Sequence, residues 1–392
     1  MTETDPPPRR RRRWPWLLAA LAVVLIALIA LPPARITLQT AALIPSLLDL
    51  GPQPLALAPE PAHQMTTYEA PDGARLPADL WLPATASADH PVGAVIFVSG
   101  INSQGRSHPA LIRVAKAIAR SGAGVYIPEL PFFFQAEVDA SEVGRIVAAF
   151  QDLAEHPEVD PSRIGIMGIS VGGSLALIAA ADPLIADRLA WVGAFGAYAD
   201  AAEIMTDVIS HQYRIDGKIV DWHPTLLVRQ VVFGLVTNQV SNGRDHGYLY
   251  GAYDSLNNED VHPLPDAHIP LRTEAARAAE AILLTDTLPE AEAALAAAPP
   301  DLTAILDGIS PIRHVAGIEA RVYLMHDVGD QHIPYAHAHE LLAAMEEAGV
   351  DVRLGEFRLF DHVQPQTQDL AAAAPELWKL FWYVRGMAAE AL

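Results

Sequence analysis

The 392-residue chain has no cysteine. That excludes a disulfide framework, thiolate metal sites, a cysteine nucleophile and a lipid-modified cysteine anchor. Positive charge is also scarce: 26 Lys and Arg face 47 Asp and Glu, for a formal net charge of −21. What there is clusters at the start. Arg9 to Arg13 against Glu3 and Asp5 leave +3 in residues 1–34, so the rest of the chain carries −24. Such an acidic body repels phosphate backbones, which argues against a nucleic-acid partner. Repeats of solenoid period are missing, and so is any histidine and carboxylate spacing of a known zinc site. His326, His332, His337 and His339 are therefore read as structural or solvated, and neither a metal nor a cofactor is expected.

An apolar run extends from Trp14 to Leu31, broken by Pro15 and ended by Pro32-Pro33. Eighteen residues rise roughly 27 Å as a helix, close to the hydrocarbon thickness of a bilayer. Trp14 and Trp16 sit at its cationic end, where indole rings favour the interface, and the arginines should remain cytoplasmic. The expectation is a basic cytoplasmic segment (1–13), a single-pass transmembrane helix (14–33) and a Pro/Leu/Ala-rich stalk (34–64), with the body outside the cytoplasm. A cleaved signal peptide is the rival reading, but Pro32-Pro33-Ala34 is a poor exit site.

Beyond residue 65 the chain alternates strand and helix. Met65–Ala70 and Arg75–Leu82 predict a hairpin around Pro71-Asp72-Gly73. Ala94–Val98 is a short apolar run suited to a sheet covered on both faces. Pro109–Ser121 has helical spacing, with Gly122 as its stop. Strands at 125–127, 163–167 and 190–194 alternate with helices at 141–156, where Ser141 is a candidate cap, and 172–181. The rhythm returns with strands at 321–325 and 352–357 and helices at 336–348 and 376–387. This is the pattern of an α/β fold with a doubly wound, mostly parallel sheet. Residues 199–310 lack the rhythm. They contain amphipathic stretches at 225–236 and 272–285, with loop chemistry around 241–244 and 257–266, and read as a mainly helical cap. The core is then split into 65–198 and 311–392.

Gly168-Ile169-Ser170-Val171-Gly172 follows the apolar strand Ile164–Met167 and precedes an alanine-rich helix. A nucleophilic serine on a strand-to-helix turn needs glycines where a β-carbon would strike backbone, and the helix start favours developing negative charge. With this motif the body resembles the α/β-hydrolase superfamily from about Met65 to Met387, the cap excepted. Val95–Gly100 looks like the strand leading to that family's oxyanion loop, with Ser99-Gly100 in place of the usual His-Gly. The resemblance implies that an acid and a base follow the serine in that order. Val322–Pro334 is similar to the acid loop, with Asp330 as the acid, although Asp327 stands where glycine is usual and is the second choice. Phe357–His362 ends a strand, and His362 occupies the position of the general base.

The implied catalytic set is thus Ser170, Asp330 and His362. The backbone N–H groups of Val171 and Ile101 form the implied oxyanion hole, with Asn102 an alternative to Ile101. Phe132, Phe133 and Phe134 are expected to line a substrate pocket, with core packing as the plain alternative. A hydrophobic or lipid-like carboxylic ester is the expected substrate. An amidase, peptidase or thioesterase with the same residues, or a non-catalytic binding protein of this fold, remains open.

Overall fold

The computed structural model describes residues 31–257, 269–365 and 371–392, together with Leu18, Ala19 and Val23. Helix α1 (Pro32–Leu48) precedes the sheet strands β1 (Ala62–Glu69) and β2 (Arg75–Leu82). These two pair antiparallel from Ala62↔Leu82 to Glu69↔Arg75. The turn between them closes where the Gly73 N–H donates to Ala70 O and the Ala74 N–H to Asp72 Oδ1. Then come β3 (Val92–Val98), α2 (Pro109–Ser121), β4 (Gly124–Pro128), α3 (Ser141–Ala154), β5 (Val159–Ile169), α4 (Val171–Ala180) and β6 (Trp191–Phe195).

The chain next leaves the sheet. It forms α5 (Ala201–Ser210), a hairpin of β7 (Gln212–Ile215) and β8 (Lys218–Asp221), and five helices. Those are α6 (Leu226–Thr237), α7 (Gly243–Asn257), α8 (Glu274–Leu283), α9 (Leu288–Ala296) and α10 (Pro300–Gly308). It returns as β9 (Arg321–Asp327), α11 (Ala336–Ala348), β10 (Val352–Phe357) and α12 (Ala374–Ala391).

The eight main strands lie in the order β1-β2-β4-β3-β5-β6-β9-β10, antiparallel at β1/β2 and β2/β4 and parallel elsewhere. The direction of winding reverses around β3, so loops leaving β3 and β5 flank the crevice where such sheets bind ligands. Burial explains the composition of the middle strands. Ala94, Ile96 and Val98 on β3 and Ile164 and Ile166 on β5 are fully buried, as a sheet covered on both faces requires. Helix α4 is apolar all round because Gly172 to Ala180 are buried on every side. Helix α2 stops at Gly122, which takes φ 117°. Helix α3 begins at Ser141 itself, and Asp139 Oδ1 accepts the Ser141 N–H, so the aspartate does the work expected of the serine.

The segment expected as a stalk, 34–64, begins within helix α1. Pro32 and Pro33 open α1, whose first N–H groups would have no partner within the helix in any case. Helix α1 packs on α2 and α12: Gln39 Nε2 donates to Ser121 O at 2.7 Å and Arg385 Nε donates to Thr37 Oγ1 at 2.9 Å. The remainder of 34–64 holds a 3-10 turn at Pro54–Leu57 and the start of β1. Most of the expected span 14–33 lies outside the described residues. Among the described residues, no helix is long and apolar enough to cross a membrane. The loop expected around 241–244 runs into α7, and residues 258–268 of the second loop lie outside the described residues.

One buried ionic cluster joins the insertion to the core. Glu203 and Asp207 stand on α5, His337 and Glu340 on α11. The His337 ring, 1% exposed, has Nε2 at 3.4 Å from Asp207 Oδ2 and Nδ1 at 3.6 Å from Glu340 Oε2. Burial disfavours the imidazolium, but the adjacent carboxylates of Asp207 and Glu340 outweigh it, raising His337 to about 10. The Ala199 N–H, 3.3 Å from Nδ1, favours the neutral ring, but one amide is weaker than two carboxylates. Burial, then the Glu340 carboxylate, pushes Glu203 up to about 8.

Both shifts make the native state bind more protons than the unfolded chain, so stability falls as pH rises. The Glu203 contribution is complete below about 4.5 and is lost as pH rises through about 8. That of His337 is complete below 6.5 and is lost through about 10. Melting temperature is therefore expected to decline steadily from pH 6 to pH 10. Glu203→Gln should flatten the lower part of that slope and His337→Gln the upper part. A melting temperature independent of pH across this interval would contradict the assignment.

Candidate active site

The sharpest local feature of the sheet is the turn from β5 into α4. Ser170 sits there at φ 57°, ψ −133°, a conformation that side chains rarely adopt. Its N–H donates to Phe195 O on β6 at 2.7 Å, and its carbonyl accepts from Gly173 N at 2.8 Å. Two close approaches hold the turn. A β-carbon on Gly168 would lie 2.2 Å from Gly172 O, and one on Gly172 would lie 2.2 Å from Ser99 O. Only glycine lets β5, α4 and the loop after β3 meet this tightly.

Val171 is the first residue of α4, where an N–H has no partner within the helix. Ile101 faces the same cavity from the loop after β3. Asn102 braces that loop: its Nδ2 donates to Gly100 O at 3.0 Å and its Oδ1 accepts the Gln104 N–H at 3.1 Å. Both contacts are made by the Asn102 side chain, which braces the loop that presents Ile101.

The loop after β9 places Asp330, 5% exposed, behind the His362 ring. Asp330 Oδ2 accepts from His362 Nδ1 at 2.6 Å, while Oδ1 accepts the N–H groups of His332 (2.7 Å) and Ile333 (3.0 Å). His326 Nε2 lies 3.4 Å from Oδ2 and donates to Ile333 O at 2.9 Å, bracing the loop. Burial opposes ionisation of Asp330. Hydrogen bonds to His326 and His362, with their charge, prevail and hold the carboxyl well below the usual carboxylate range. His362 Nε2 is buried and has no hydrogen-bond partner among the described residues. Ser170, His362, Val171 and Ile101 line one cavity of about 330 Å³.

The supporting roles of three residues escaped sequence reading. Asp327 Oδ2 accepts the N–H groups of Leu359 and Phe360, both at 2.8 Å, and so pins the segment that carries His362. It is a buried peg, not a second acid beside the imidazole. Gly196, at φ 63°, leaves room for the ring, because a β-carbon there would lie 2.7 Å from His362 Cε1. His332 stacks on His362 with ring centroids 4.5 Å apart. Burial, and then the neighbouring His362 charge, lower its basicity. Aspartate at 327 in place of the usual glycine was the one sequence signal for any of these.

The phenylalanines fall elsewhere. Phe133 is 2% exposed in the main core, Phe132 lies under the Arg145 guanidinium and Phe134 packs against Gly105. None of the three lines the cavity. A 3-10 turn at Pro131–Gln135 rotates them away from it. The apolar wall comes instead from the insertion: Leu227, Val228, Val231, Val232 and Leu235 of α6, with Ile204 of α5. Spacing alone could not say which apolar helix of the insertion faces the serine.

Among the described residues, two groups of side chains offer donor atoms within 4.8 Å of one another, the separation that a shared metal ion needs: Asp330, His332 and His362, and Glu203, His337 and Glu340. In the first, both Asp330 oxygens are already engaged by the contacts above. In the second, the imidazole and carboxylates pair with one another.

No protein-family model and no curated protein matches the chain. Solved structures do. Dipeptidyl peptidase 4 of Porphyromonas gingivalis aligns with a TM-score of 0.50 and 12% identity over 85% of this chain and 36% of that one. A puromycin-hydrolyzing peptidase of Mycobacterium tuberculosis gives 0.49 and 14% over 87% and 41%. A putative dienelactone hydrolase from Klebsiella pneumoniae gives 0.46 and 14% over 83% and 99%. At these identities the likeness is one of fold, and the chain spans little more than a third of the first peptidase.

Proposed function

The chain has the α/β-hydrolase fold, and from that frame we propose that it is a serine hydrolase acting on a hydrophobic carboxylic ester. Ser170 attacks the carbonyl carbon while His362 Nε2 takes its proton. Asp330 holds the imidazole in the tautomer that leaves Nε2 unprotonated and stabilises the cation that forms. The N–H groups of Val171 and Ile101 receive the oxyanion; removing one such donor typically costs about 3 kcal/mol of transition-state stabilisation. His362 then returns the proton to the leaving alcohol, and water releases the acyl group by the same steps in reverse.

The observation that carries this reading is the 2.6 Å Asp330–His362 contact beside an unpartnered Nε2, in the cavity that also holds the strained Ser170. Ester over peptide is supported by the lining of that cavity. It contains no aspartate or glutamate among the described residues, and so no counter-ion for the free ammonium of a peptide. The arginines at 9–13 and the apolar run after them support attachment to a membrane by a single span, with the hydrolase outside the cytoplasm.

A fluorophosphonate probe should label the full chain but not Ser170→Ala. On a matched panel, esters should be turned over at least 100-fold faster than aminopeptidase and endopeptidase substrates. Faster cleavage of the peptides would move the reading to a peptidase; absence of labelling would remove the serine mechanism.

A further inference from the structure

Beside the cavity of Ser170 lies a second of about 200 Å³, between the face of β3, β5 and β6 and the helices α1, α2 and α12. Leu47, Phe97, Val114, Ile169, Val363 and Pro365 line both, so the two adjoin across these side chains. The second is apolar almost throughout: Ser121 is its one hydroxyl, and no charged side chain lines it among the described residues. Met167, Met325 and Met387 give it adaptable walls.

A void of this size is unusual. Interiors are close-packed, and an empty apolar space destabilises in proportion to its volume. Water gains no partners there, whereas apolar molecules enter such cavities readily. Helix α1 creates the space by lying across α2 and α12 with Leu43, Leu47 and Leu48 turned toward it. Without α1, the apolar sides of α2 and α12 would face solvent here.

We propose that this chamber receives the acyl chain of the substrate, a straight-chain ester of medium to long length. The inference rests on the serine hydrolase reading and names its substrate class. Lining residues run from Ile169, next to Ser170, to Trp191, which pairs with Gly165 four residues back along β5. Four residues of strand cover roughly 13 Å. An extended backbone advances about 1.2 Å per bond, so that distance takes about ten to eleven methylenes. The carbonyl would stand at Ser170, with the chain passing Ile169 and Phe97 toward Met387.

Two arms test this. With p-nitrophenyl esters from acetyl to palmitoyl, kcat/KM should rise with chain length by up to about four-fold per methylene, levelling near ten to twelve carbons. Ala388→Phe, which fills the chamber without touching the Ser170 cavity, should lower the dodecanoyl-to-acetyl ratio at least ten-fold and leave acetyl hydrolysis unchanged. Val384→Phe is the second variant should the first fail to fold. In the other arm, a fluorescent fatty acid should bind full-length Ser170→Ala and lose affinity at least ten-fold on addition of Ala388→Phe.

A flat chain-length profile with Ser170-dependent acetyl hydrolysis would overturn the chamber and spare the mechanism. Fatty acid binding that Ala388→Phe abolishes, in a chain with no Ser170-dependent hydrolysis, would do the reverse. Failure of the fatty acid to bind would overturn the chamber in either case.

Discussion

Ser170→Ala is expected to lower kcat on a preferred ester by about 10⁶-fold, the loss seen when the nucleophile of a serine triad is removed. A small residue above water should survive, because the donors at Val171 and Ile101 act on the oxyanion whatever attacks the carbon. Stability separates this loss from misfolding. Alanine at this position is expected to keep the native φ 57°, ψ −133°, so the melting temperature should hardly change. Ser170→Gly should be equally inactive yet more stable by about 1 kcal/mol, a rise of about 2 °C, since glycine accepts that conformation without strain. An inactive, stabilised Gly variant would show that the turn stores strain for the sake of the hydroxyl. Turnover by Ser170→Ala within 100-fold of the native rate would refute the nucleophile.

Asp330→Asn should cost about 10⁴-fold in kcat, and the geometry says why an isosteric amide fails. The Oδ1 position accepts two backbone N–H groups, from His332 and Ile333, so it demands an oxygen. The amide nitrogen must then take the Oδ2 position, where it meets His362 Nδ1 at 2.6 Å and faces His326 Nε2. A donor there forces the imidazole proton onto Nε2, which leaves no lone pair for the Ser170 hydroxyl. Asp330→Ala removes this wrong-way bond but also leaves two buried N–H groups unpaired, so it should be both inactive and destabilised. Kinetics at pH 8 with melting curves for both variants check the argument. An Asn variant retaining a tenth of the native kcat would show that the carboxylate is not setting the tautomer.

Much of this protein was legible in the linear chain because its signals are local. Apolar runs at 94–98 and 164–167 have the length and composition of buried strands. Gly168 and Gly172 bracketing Ser170 marked a turn that excludes side chains. The order of Ser170, Asp330 and His362 came from the resemblance to the α/β-hydrolase superfamily. The strands and the serine turn rest on patterns of a few residues, which sequence carries directly.

The rest depended on contacts between distant segments. Residues 34–64 read as a stalk because the leucines of α1 find their partners far along the chain, on α2 and α12 some 75 and 340 positions away and on β6 and β9. Phe132 to Phe134 read as pocket or core residues alike, and the 3-10 turn puts Phe133 in the core, Phe132 under Arg145 and Phe134 partly in solvent. Asp327 read as a deviation from a pattern, and its purpose emerged only where two N–H groups 32 and 33 residues later converge on one carboxylate oxygen. A linear chain states which groups it can offer. Which of them become walls, pegs or partners is decided by burial, where each polar atom must find its complement and each apolar surface must be covered.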